Sequence, residues 1–66
     1  MSYGTEEEIL EKYNYYKDRI KDMAKKEQVE WLENIEFNIN MIDRWQTEDW
    51  ICIKAINKLL KEAKEN

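Results

Sequence analysis

The side chains of this chain that could do chemistry are almost all carboxylates. It contains no histidine and one cysteine, Cys52, so no Ser/His or Cys/His nucleophile pair can be assembled from it. A zinc site takes about four Cys, His or carboxylate ligands, and no such spacing occurs. The one glycine is Gly4, which leaves no glycine-rich loop to cradle a phosphate. What survives is a carboxylate-held Mg²⁺. The grouping with helical spacing for it is Glu7-Glu8-x-x-Glu11.

That grouping resembles the first half of the helical Glu-Glu-x-x-Glu pattern of all-α nucleotide pyrophosphohydrolases of the MazG type. The second half, Glu-x-x-Asp, falls on Asn40-Met41-Ile42-Asp43, where Asn40 stands in place of the first ligand. The glutamates also lie away from the apolar stripe of their helix, whereas a metal site in a helical bundle faces inward. Glu6, Glu7 and Glu8 instead suit the positive end of a helix dipole. No catalytic residue, metal or cofactor is therefore expected. Cys52 lies among apolar neighbours, with no cation to activate a thiol, and reads as a small buried residue on an apolar helix face.

The elements that position these groups follow from what is missing. There is no proline and no glycine after Gly4, so nothing in the composition interrupts helix. Thr5 followed by Glu8 forms a capping box after a short lead, Met1 to Gly4. Ile9, Tyr13, Tyr16, Ile20 and Met23 then repeat at spacings of four and three, one stripe of an amphipathic helix. Leu32, Ile35, Ile39 and Ile42 form a second stripe, out of phase with the first. The phase slip predicts a turn near Lys25 to Gln28. The alternative is one helix from Glu6 to Gln46, about 60 Å long, which could bury its face only in an oligomer. Thr47, Glu48 and Asp49 predict a third helix start. Its stripe is Cys52, Ile56, Leu59 and Ala63, flanked by Ile53, Ala55 and Leu60. The apolar period is helical throughout and gives no strand signal.

The expected fold is all-α, a single domain over residues 1–66. It is a small three-helix bundle, a helical hairpin plus a C-terminal helix, with helices near 6–25, 28–45 and 48–64. A chain of 66 residues buries only about 60% of its unfolded surface, and one cysteine allows no internal disulfide. Self-association, or unusually good helix packing, is the remaining support, and a homodimer is expected.

The second helix carries more apolar surface than such a core needs. Phe37, Met41 and Trp45 lie to the side of its main stripe, and interfaces favour aromatic residues and Met. Trp45 and Trp50 are expected to wrap the turn before the third helix, with Trp50 off that helix's stripe. The net charge of −4 sits in the same region, where Arg44 stands against Glu27, Glu30, Glu33, Glu36 and Asp43. Phe37, Met41 and Trp45 are the candidate anchors for a protein partner, with Glu30 and Glu33 as steering charges.

The expected function is a protein–protein interaction module that regulates or inhibits a larger protein. Small acidic helical proteins of phages and mobile elements often act this way. Nine lysines against two arginines, with frequent Ile and Asn, match the A/T-rich coding bias of low-GC bacteria and their phages. The alternative is a nucleic-acid-binding helical dimer using Lys54, Lys58 and Lys61. An acidic domain whose two arginines lie off that helix argues against it. No apolar run reaches the ~18 residues of a membrane span, and no signal-peptide pattern opens the chain, so a cytoplasmic protein is expected.

Overall fold

The computed structural model describes residues 6–65. They form three α-helices, α1 (Glu6–Ile20), α2 (Lys25–Asn40) and α3 (Thr47–Glu65), and no strand. The capping role of Thr5 lies outside the described residues. Within α1, Glu6, Glu7 and Glu8 occupy the first turn and Lys17 and Arg19 the last, each complementing the dipole.

The break between α1 and α2 comes four residues earlier than the phase slip suggests. The turn is 21–24, and Lys25 to Gln28 form the first turn of α2. Two side chains settle this. The Glu27 carboxylate accepts the Ala24 N–H at 3.3 Å, while the Ala24 carbonyl accepts the Gln28 N–H at 2.9 Å. Gln28 Nε2 reaches back to donate to the carbonyls of Ile20 (2.8 Å), at the end of α1, and Met23 (3.2 Å), in the turn, adding to the Met23 N–H that Ile20 already accepts. With alanine at the N-cap, no Ser, Thr, Asp or Asn marks the start.

The second helix stops at Asn40 rather than running on to Trp45. Its end tightens, with the Met41 N–H shared between the carbonyls of Phe37 and Asn38 and the Ile42 N–H bonded to Ile39. Ile42 therefore leaves the α2 stripe and is 41% exposed, against the core position expected for it. The third helix begins as expected, but its cap is Gln46 and not Thr47. The Asp49 carboxylate accepts the Gln46 N–H at 2.9 Å, and the Gln46 carbonyl accepts from Asp49 and Trp50.

Packing centres on α3. Both α1 and α2 lie against it and meet each other little, so the expected hairpin of the first two helices is an open corner. The arrangement follows from the breadth of the α3 apolar face. Ile51, Ala55 and Leu59 form one buried strip and Ile53, Ile56 and Leu60 a second, where α1 and α2 bury one stripe each. Ile51 sits beside Lys12 and Tyr15 of α1, while Lys64, continuing the second strip, reaches Glu33 of α2. Leu32 and Ile56 are fully buried, and burying each contributes roughly 1.5–3 kcal/mol. Tyr13, Ile20, Leu32 and Ile39 join Ile53, Ala55, Ile56, Leu59 and Leu60 of α3 in one core, with Ile9, Tyr16, Val29, Trp31, Ile35 and Cys52 packed at its edge. Cys52 is thus half-buried at that edge rather than enclosed.

Candidate functional site

At about 100° per residue, the α2 positions opposite Leu32 and Ile39 are Glu30, Asn34 and Phe37, with Glu33 beside them, and the C-cap residue Met41, still helical in its backbone, continues the face just past the end of the helix. Four of the five expected partner-binding residues, Glu30, Glu33, Phe37 and Met41, thus share one outward face within an arc of about 80°. Phe37 is 62% exposed and Met41 67%, so neither contributes much to the core. Glu30 is exposed, and Glu33 bridges to Lys64 of α3 at 3.3 Å. That bridge ties the α2 face to the helix that organises the fold.

Trp45, the fifth, is not on this face. It lies beyond the end of α2, packs half-buried against the core, and donates its indole N–H to the Ile39 carbonyl at 2.9 Å. Its ring stands edge-on to Trp50 at a centroid distance of 4.6 Å. An apolar ring whose N–H adds a second bond to a helix-end carbonyl is a clasp on the α2–α3 turn. Projecting Trp45 onto α2 fails because the helix ends five residues before it.

On the α1 side, Tyr13 donates its hydroxyl to Glu62 Oε1 at 2.5 Å, and the ammonium groups of Lys17 and Lys58 lie 5.5 and 5.1 Å from its ring centroid. The hydrogen bond to Glu62, then burial, then the nearby negative charge hold its phenol above the ordinary range. Tyr16 stands edge-on to Trp31 at 5.9 Å. Burial pushes its phenol up, reinforced by its hydrogen bond with the Cys52 thiol. Local spacing did not reveal the Tyr13–Glu62 pair, which spans 49 residues. The available signal was a carboxylate seven residues after Ala55, on a buried strip, where it needs a partner.

Lys54, Lys58 and Lys61 are exposed on the outer side of α3, and Trp50, 53% exposed, stands at one end of the same side. Lys64 is engaged with Glu33. Glu7, Glu8 and Glu11 are exposed on α1, and among the described residues no group of three His, Cys, Asp or Glu is placed to hold a metal ion. Nor is any described helix long and apolar enough to cross a membrane.

The fold and this face define a small all-α bundle built on its C-terminal helix, with an acidic and apolar surface on its middle one. No protein-family model matches the chain, and comparison with curated proteins and with solved structures finds no match.

Proposed function

We propose that this protein is a cytoplasmic protein–protein interaction module that regulates or inhibits a larger protein by docking the outer face of α2 on it. The observation that carries the reading is the pair Phe37 and Met41, which stand largely exposed beside Glu30 on a helix whose core face is elsewhere. Two apolar anchors give the contact its affinity, and the carboxylates favour a basic surface and speed encounter with it. The partner is then a protein presenting an apolar patch bordered by Lys or Arg. Occlusion of that patch is the simplest way so small a domain acts, and a phage or mobile-element product would use it against a host protein.

The test places a photo-cross-linking amino acid at Phe37, and separately at exposed Asn14 of α1, in the producing cells. The captured protein is purified and titrated with the wild type and with F37A/M41A. Capture from position 37 but not 14, with binding lost in the double variant, supports the reading. Equal capture from both positions, or binding that survives the double variant, refutes it.

The exposed row Lys54, Lys58 and Lys61 favours a second reading, a helical dimer on a nucleic-acid backbone. A mobility shift that weakens with salt and with loss of these lysines would support it, and no shift at low salt would dismiss it.

A further inference from the structure

The outer faces of α2 and α3 match each other in spacing and in chemistry. On α2, counting backwards, Met41, Phe37, Asn34 and Glu30 follow one another at steps of four, three and four. On α3, counting forwards, Trp50, Lys54, Asn57 and Lys61 follow the same steps. Each row covers about 16 Å of helix. Every member is exposed, so both rows are available to a neighbour. Within one molecule they cannot meet, because α2 and α3 pack through their opposite, buried faces.

We propose that a second copy of this chain docks its α3 row antiparallel on the α2 row of the first. In that register Met41 meets Trp50, Phe37 lies under the Lys54 stem and ammonium, Asn34 faces Asn57, and Glu30 pairs with Lys61. The parallel register sets Met41 against Lys61 and Glu30 against Trp50, apolar against charge, and is disfavoured. Trp50 is held in place for this contact by its edge-on packing against Trp45, so little freedom is lost on docking. One helix row on another buries less than about 1,200 Å² in total, the range of weak, reversible contacts. The contact is heterologous, with two different faces meeting, so copies add beyond two unless the geometry closes into a ring.

The inference rests on the reading of the α2 outer face as a docking face, and adds its regulation. Self-association covers Phe37 and Met41, so a foreign partner competes with other copies, and the protein is masked at high concentration.

The test is sedimentation of wild type, E30K, K61E and an equimolar mixture of the two variants across a wide concentration range, with helix content checked by circular dichroism. The wild-type mass rises above the 8.2 kDa monomer with concentration, and less so at high salt. Each variant alone sets like charges opposite one another and needs about threefold to tenfold more protein for the same rise. Mixing restores the wild-type curve, because the altered α2 of one variant now matches the altered α3 of the other. A wild type that stays monomeric, variants that associate like wild type, or a mixture no better than its components would each overturn the proposal. Should it fall while F37A/M41A still abolishes binding of a cross-linked partner, the docking reading stands and only the second copy is excluded. W50A, read in the same way, tests the apolar end independently of charge.

Discussion

The double substitution F37A/M41A separates a docking face from a core face, because the two assignments differ in stability by several kcal/mol. Full burial of a Phe or Met side chain is worth roughly 1.5–3 kcal/mol. With Phe37 62% and Met41 67% exposed, about a third of that is realised, so truncating both removes roughly 1–2 kcal/mol of burial. Alanine is the better helix former and returns a few tenths of a kcal/mol at Phe37. The net loss is about 1 kcal/mol, a fall in Tm of about 4–8 °C for a domain of this size. Leu32→Ala is the control. That side chain is fully buried between α2 and α3, and its truncation costs about 2–5 kcal/mol, as much as a domain this small has in total. Far-UV circular dichroism with a thermal melt reads both. F37A/M41A keeps wild-type helix content and melts cooperatively a few degrees lower, while L32A loses its helices. If F37A/M41A unfolds as L32A does, those side chains are part of the core and the docking face does not exist.

Trp45→Phe keeps the ring's bulk but removes the donor to the Ile39 carbonyl. It should cost about 1 kcal/mol and alter the fluorescence of Trp50, which rests on that ring, more than that of Trp31, the other tryptophan left. Glu33→Gln breaks an ion pair whose partners are both about half exposed, so the unfolding free energy from urea titration should fall by no more than about 0.5 kcal/mol. Alkaline pH should destabilise the fold. Tyr13 and Tyr16 are both raised above an ordinary phenol, so their contribution is fully present below pH ~10 and is lost as pH climbs through their folded values. Urea midpoints measured against pH should fall above ~10 for wild type and less steeply for Y13F, and identical slopes would remove the Tyr13–Glu62 bond from the account.

Periodicity located the helices because a buried stripe leaves its spacing in the sequence whatever it packs against. Ile9, Tyr13, Tyr16 and Ile20 are the α1 stripe, and the long α3 ends within a residue of its expected bounds. The ends of α2 were less legible. Ala24 caps its start, as Gln46 caps α3, yet the stabilising side chains, Glu27 and Gln28 in the one and Asp49 in the other, lie one turn further on. Such a cap carries no local marker at the cap residue itself. The partner arrangement was hidden for a different reason. A stripe records that a face is covered and not by which helix. Only the greater breadth of apolar residues on α3, from Ile51 to Leu60, hinted that it serves two neighbours. The candidate face was legible to the extent that it lies on α2 and its C-cap residue, Met41. Glu30, Glu33, Phe37 and Met41 came together, and Trp45 did not.

The same devices that make α2 hard to delimit also make it a firm platform. Gln28 locks its first turn to the end of α1 and the turn after it through the Ile20 and Met23 carbonyls, and Trp45 ties the Ile39 carbonyl near its end to Trp50 at the start of α3. Between them, Leu32 and Ile39 are buried along its inner side, and Glu33, at the edge of the outer face, is bridged to Lys64, so the helix is held at both ends and along its length. An exposed face on such a helix is pre-ordered, and binding there spends little on ordering the backbone. In a domain with so small a core, a free or fraying helix would surrender to its own unfolding much of what its contacts gain. The fixed ends of α2 are therefore what let two modest anchors, Phe37 and Met41, serve as a usable surface.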